Sequence, residues 1–207
     1  MKERRIKTII FDLSEVYLRG LWMVEEKLEK IIKMPKEVIK KMLFSEPRPD
    51  FDLLMEGKIM EEEYWNRLIK NNHLSVSVAK LKKAARDNFE EIEGTRAIIE
   101  ELKKQGYNLG LLSNHSKEWI DYCEKKFDYH KLFHSVLYSF EIGICKPDKK
   151  VYEHILTKLN AKPEECLFID DIPKNLRRAE ELEIKTILFE NSTQLKRELR
   201  KFDIILK

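Results

Sequence analysis

A doubly wound α/β fold with a mainly parallel sheet is predicted by three apolar runs, each closed by polar groups and separated by helical periodicity. Residues 6–11 (Ile-Lys-Thr-Ile-Ile-Phe) end in Asp12-Leu13-Ser14, residues 107–112 end in Ser113-Asn114, and residues 166–169 end in Asp170-Asp171. Strands joined through helices lie parallel in one sheet. In such open sheets ligands bind beyond the carboxyl ends of the strands. Asp12, Ser113, Asp170 and Asp171 are therefore expected at one rim. Three carboxylates there repel each other unless a cation lies among them, and hard oxygen donors suit Mg2+.

The first strand is expected over residues 6–11. Strand–helix alternation then stops. Leu21, Val24, Leu28 and Ile31 share a helical face, and Pro35 suits the first turn of a second helix carrying Val38, Ile39, Met42 and Leu43. Residues 45–49 (Ser-Glu-Pro-Arg-Pro) form a loop, because two prolines and a pre-proline residue disfavour helix. A short helix over residues 50–56 stops at Gly57. Tyr64, Trp65, Leu68 and Ile69 mark a further helix, and Val78, Leu81, Ala85 and Phe89 another. Residues 17–89 are thus expected to be an all-helical insert after the first strand, with residues 1–16 and 90–207 forming the α/β domain.

Alternation resumes at Gly94. A helix bearing Ala97, Ile98, Ile99 and Leu102 closes at Gly106, and the strand 107–112 follows. Ser116 suits the N-cap of a helix carrying Trp119, Ile120, Cys123 and Phe127. Residues 136–140 read as a short strand, and Asp148 as the cap of a helix bearing Val151, Tyr152, Ile155, Leu156 and Leu159. After the strand into Asp170 come a helix from Pro173, a strand over 184–189, a helix over 192–201 and a last edge strand over 202–206.

Length and composition narrow the function classes. The chain has 207 residues, enough for one large domain or a core with an insert, and 43% are apolar, enough for a core. Its 40 basic and 37 acidic residues nearly cancel to +3, so no field favours nucleic acid or an anionic membrane. Cys123, Cys145 and Cys166 lack the close pairing of a zinc or redox motif, which fits free thiols in a reducing compartment. Asp12 interrupts the first apolar run, unlike a secretory signal, and no run reaches the ~18 residues of a membrane span. A cytoplasmic protein is expected; its oligomeric state is left open.

The ordered set Asp12, Ser113, Lys146-Pro147 and Asp170-Asp171 resembles the haloacid dehalogenase superfamily. Within it, Phe11-Asp12-Leu13 with Val16, and Phe168-Ile169-Asp170-Asp171, look most similar to a branch of sugar-1-phosphate phosphatases and the N-terminal phosphatase domain of soluble epoxide hydrolases. The resemblance implies a Rossmann-like core, a small helical cap inserted after strand one, and a Mg2+-dependent phosphatase acting on a small phosphorylated metabolite such as a sugar phosphate. It implies that Asp12 attacks phosphorus to form an aspartyl-phosphate. Ser113, Asn114 and Lys146 would hold the phosphoryl group, and Asp12, the Ser14 backbone carbonyl, Asp170 and Asp171 the metal. Three carboxylates and a phosphoryl dianion carry about −5, which Mg2+ and Lys146 bring to about −2.

Two positions depart from that pattern. Most phosphatases of the superfamily carry a proton-transferring Asp where this chain has Ser14, so a factor of ~10²–10⁴ is at stake. Glu15 replaces a small or turn-forming residue and pays strain if its φ is positive; alternatively, it supplies the missing acid. These departures motivate a non-catalytic pseudo-phosphatase as a rival. A 2-haloacid dehalogenase is a second rival, against which the Asp170-Asp171 pair argues. Asn175 either orients the Asp171 loop or only starts a helix. Trp22, Phe44, Phe51, Met55 and Trp65 are candidate pocket or core residues, and Arg48 is a candidate contact for a second anionic group. His73, His115, His130, His134 and His154 have no metal-ligand spacing and are assigned no chemistry.

Overall fold

The computed structural model describes residues 6–21 and 23–206. Five parallel strands form the central sheet: β1 (Thr8–Phe11), β4 (Asn108–Ser113), β5 (Ser135–Tyr138), β6 (Cys166–Asp170) and β7 (Lys185–Leu188), in the order β5-β4-β1-β6-β7. β1 is central because its residues are buried on both faces, Ile9 and Phe11 on one side and Ile10 on the other. Chain order reverses on the two sides of β1, which makes the crevice beside it the binding crevice of a doubly wound sheet.

Between β1 and β4 the chain forms α1 (Val24–Ile32), α2 (Lys36–Phe44), α3 (Pro49–Met55), α4 (Glu61–Asn71), α5 (Val78–Arg86) and α6 (Thr95–Lys104). The expectation that residues 17–89 are all-helical is corrected near its start, where residues 18–19 form a strand. Leu18–Arg19 (β2) pairs antiparallel with Glu90–Glu91 (β3), so a two-stranded ribbon flanks α1–α5. The Tyr17 hydroxyl donates to Glu91, and Ile92 N donates to Tyr17 O at 2.9 Å. Strands of two residues carry no periodicity to read; only the tertiary pairing creates them.

The helices of this insert are tied to the rest of the molecule by buried polar contacts. The Ser139 hydroxyl donates to Met55 O at 2.6 Å. Glu61, 1% exposed, accepts from Trp119 Nε1 (2.8 Å), Trp65 Nε1 (3.1 Å) and both terminal nitrogens of Arg86 (2.7 and 2.6 Å). Burial alone would raise its pKa, yet these donors hold the carboxyl below its ordinary value.

The remaining helices are α7 (Lys117–Phe127), α8 (Ser139–Ile142), α9 (Lys149–Leu159), α10 (Pro173–Glu180) and α11 (Ser192–Arg200). Asp148 caps α9 by accepting from Lys150 N at 2.9 Å. Ser116 occupies the N-cap of α7, but its hydroxyl makes no cap bond. The strand expected over 136–140 ends at Tyr138, where Glu141 turns the chain into α8 by accepting from Tyr138 N at 3.0 Å. The expected strand over 202–206 is absent. There Asp203 takes φ 60° and Ile204 N donates back to Leu199 O at 3.2 Å, which folds the tail under α11 and buries Ile204 to 1% exposure. All three cysteines are free. Among the described residues no helix is long and apolar enough to cross a membrane.

Candidate active site

Asp12 follows β1, Ser113 ends β4, and Asp170 ends β6 with Asp171 next. Parallel register places these ends side by side: Phe11 is paired with both Leu111 and Ile169. Each apolar strand thus carries one polar group to the same rim, as the sequence predicts. Asp12, Asp170 and Asp171 each offer a carboxylate oxygen within 4.8 Å of the others.

Lys146, expected to join them from a separate loop, does so. Its Nζ lies 2.9 Å from Asp12 Oδ1 and 2.7 Å from Asp170 Oδ2, and donates to Leu112 O at 3.1 Å. Its side chain is 2% exposed. Burial alone would lower the lysine pKa, but the carboxylates of Asp12 and Asp170 raise it above its ordinary value and keep it charged. Asn114 holds this lysine by its backbone: Asn114 Nδ2 donates to Lys146 O at 3.0 Å, and Lys146 N donates to Asn114 Oδ1 at 2.8 Å. This clamp, made by the Asn114 side chain, was not anticipated. No sequence spacing links residues 32 positions apart.

The carboxylates differ in their surroundings. Asp12 Oδ1 accepts from Leu13 N at 2.7 Å. Burial pushes the Asp12 carboxyl up to about 7, Lys146 opposes this, and Asp170 and Asp171 add to the rise. Asp171 rises to about 6 through burial and then through Asp170 beside it. Asp170 accepts from Ile172 N at 2.7 Å and from Asn175 Nδ2 at 3.1 Å to each oxygen. Asn175 therefore orients Asp170, rather than the Asp171 loop considered from the sequence. An acidic triad in which the Asp170 charge raises the pKa of both Asp12 and Asp171, beside one ammonium, fits a divalent cation.

Ser113 Oγ is buried and has no hydrogen-bond partner among the described residues. A buried hydroxyl left unpaired at a strand end is a donor in want of a ligand. Glu15 has φ 60°, which meets the condition under which it pays strain, and Glu15 Oε1 accepts from Gly20 N at 2.7 Å. That bond fixes the carboxylate in the turn after Ser14.

A cavity of about 460 Å³ opens over this rim, lined by Asp12, Ser14, Glu15, Asn114, Lys146, Asp171 and Asn175 together with residues of the helical insert. Of the aromatic and thioether candidates, Phe44, Phe51 and Met55 line it. Trp65 does not; it packs beneath, hydrogen-bonded to Glu61. Trp22 lies outside the described residues. Arg48 reaches the cavity, but Glu46 (3.3 Å) and Asp52 (3.8 Å) already pair with it. Phe89, His115 and Trp119 complete the wall and were not singled out as pocket residues. His115 directly follows Asn114, the one local signal that pointed to it. Burial lowers its pKa to about 4, so the imidazole is neutral at physiological pH.

This fold and rim define a hydrolase of the α/β type with an acidic strand-end site. The family model of haloacid dehalogenase-like hydrolases matches residues 9–189, and the chain belongs to that family. Mouse bifunctional epoxide hydrolase 2 is 26% identical over 220 residues, spanning 95% of this chain and 38% of that protein. The chain thus corresponds to well under half of that relative. The glyceraldehyde 3-phosphate phosphatase of Pyrococcus furiosus is 26% identical over 204 residues, spanning 90% of this chain and 81% of its own length. A haloacid dehalogenase-family enzyme of Bacteroides thetaiotaomicron, solved as a magnesium complex, shares the fold with a TM-score of 0.79 at 21% identity, over 95% of this chain and 99% of that one.

Proposed function

We propose that this protein is a Mg2+-dependent phosphatase that hydrolyses a small phosphate monoester through an aspartyl-phosphate on Asp12. The observation that carries the reading is Lys146, buried and charged between Asp12 and Asp170 at the strand ends. Residues 1–16 and 90–207 serve as the catalytic unit in this reading, and residues 17–89 as the cap over its rim.

Leu13 N and Lys146 engage Asp12 Oδ1, which leaves Oδ2 to attack phosphorus. The new Asp12 O–P bond forms as the ester P–O bond breaks and the alcohol leaves. Water then attacks the aspartyl-phosphate, releasing inorganic phosphate and restoring the carboxylate. Lys146 stabilises the charge on the transferring group, and the Ser113 hydroxyl with the Asn114 backbone N–H holds its oxygens. Asp12, Asp170, Asp171 and the Ser14 carbonyl would hold Mg2+, which supplies charge neutralisation for the phosphoryl oxygens. Ser14 cannot exchange protons near neutral pH, so the leaving alkoxide takes its proton from solvent. Carbon attack on a haloacid is disfavoured, because without a metal Lys146 alone would face the three carboxylates of Asp12, Asp170 and Asp171 and leave uncompensated charge.

The test is phosphate release from a panel of aryl and alkyl esters with Mg2+ and with EDTA, on wild type and Asp12→Asn. Release that needs Mg2+ and vanishes in a folded Asp12→Asn supports the mechanism. Near-wild-type turnover by Asp12→Asn sinks it. Metal binding by calorimetry without any release transfers the reading to a pseudo-enzyme.

A further inference from the structure

The polar side chains of the cavity serve two purposes. Asp12, Lys146, Asp171 and Asn175 belong to the phosphoryl end. Glu46, Arg48, Asp52 and Lys174 are the second group. There the side chains of Glu46 and Asp52 are 63% and 55% exposed, which places them at the solvent side. Arg48 Nε faces those two carboxylates at 3.3 and 3.8 Å without a hydrogen bond to either, and its guanidinium sits 4.6 Å from the Phe51 ring centroid. Two carboxylates and two cations, Arg48 and Lys174, balance in this group, so it offers no net positive charge to a second anionic group on a substrate.

Much of the remaining wall is hydrocarbon. Leu21, Met55, Phe89 and Trp119 are at most 9% exposed yet line the cavity, and the half-buried Phe44 and Phe51 join them. The Trp119 ring contacts Phe51 and Phe89 at 6.5 and 6.1 Å, so this wall is one packed aromatic surface. The Trp119 indole N–H is spent on Glu61 at 2.8 Å, and the adjacent imidazole of His115 is neutral. A polyol entering here would strip water from several hydroxyls and find few partners, at roughly tenfold or more in binding for each one left unpaired. An apolar chain or ring would gain about fourfold for each methylene buried.

We infer that the alcohol half of the substrate is an apolar body, aliphatic or aromatic, seated against the Phe44–Phe51–Phe89–Trp119 wall. The inference rests on the phosphatase reading and names a substrate class that differs from the sugar phosphates the resemblance implies.

The test is kcat/KM on ethyl, butyl, hexyl and benzyl phosphate, beside glycerol 3-phosphate and glucose 6-phosphate, with Mg2+. Primary alkanols are nearly equal leaving groups, so the alkyl series varies burial and leaves the chemistry constant. The expected result is a rise of about fourfold per methylene until the cavity fills, with hexyl phosphate at least ~10-fold above glucose 6-phosphate. Phe51→Ser lowers the slope. The affinities of the matching alkylphosphonates for Asp12→Asn, measured by calorimetry, give the same slope without turnover. A flat series, or preference for the polyol esters, overturns this inference while Mg2+-dependent release from ethyl phosphate keeps the phosphatase standing. No release from any ester, with acetyl phosphate also inert, overturns the phosphatase reading and this inference with it.

Discussion

Replacing Lys146 with methionine preserves the length of the stem and removes only the charge, which isolates the ammonium's role. The ammonium makes contacts of 2.9 Å to Asp12 and 2.7 Å to Asp170 and a hydrogen bond of 3.1 Å to Leu112 O. Asp12 is 4% exposed and Asp170 0%. Removing one partner from a buried ion pair leaves uncompensated charge and costs roughly 3–5 kcal/mol. The assay is urea unfolding in EDTA, followed by tryptophan fluorescence, at about pH 7 and about pH 5. The Asp12 carboxyl stands near 7 in the folded protein against 3.8 in a free chain, so in that window the folded state binds a proton the unfolded state lacks. Stability therefore rises as pH falls through the window. Lys146 opposes the rise in the Asp12 pKa, so its loss widens the window, and Lys146→Met recovers more than wild type on acidification. A deficit below about 1 kcal/mol at pH 7, or one that does not narrow at pH 5, would refute the view that Lys146 neutralises the two carboxylates. Turnover of the variant is expected to drop by about 10²–10³.

The other predictions concern the groups around this centre. Asn175→Ala removes both bonds to Asp170 and is expected to weaken Mg2+ binding by about 10–100-fold, read by calorimetry; unchanged affinity would mean Asp170 needs no such support. Glu61→Ala strands Arg86 and two indole N–H groups and is expected to cost roughly 3–5 kcal/mol in denaturant unfolding; a loss within 1 kcal/mol would show that the buried pair is not a structural tie. Ser14→Asp is expected to raise turnover of alkyl phosphates more than of activated aryl phosphates. Equal effects on both would mean that leaving-group protonation does not limit the wild type.

The strand-end groups were legible because two signals coincide at Asp12, Ser113 and Asp170. Each polar residue interrupts a β-branched or aromatic run, and in a parallel sheet the end of such a run is the end of a strand. Lys146 needed the family's motif order to stand out, since a lysine before proline has no local distinction. The positive φ of Glu15 was legible only as a condition, from the small or turn-forming residue the family usually has there. Helical periodicity located α1 to α5 but left their partners open. A period of 3.6 says which face is buried and nothing about what it is buried against. Tertiary packing therefore decided that Trp65 turns to Glu61 while Phe51 lines the cavity, and that Arg48 lies against Glu46 and Asp52. It also decided the ribbon of Leu18–Arg19 with Glu90–Glu91 and the clamp of Asn114 on the Lys146 backbone, both made by groups far apart in the chain. Alternation and periodicity are local properties of the chain, so the sequence by itself determined the main strands of the sheet and the acidic groups at its rim. The shape and polarity of the space above that rim depend on how distant segments meet, which the tertiary structure alone decided.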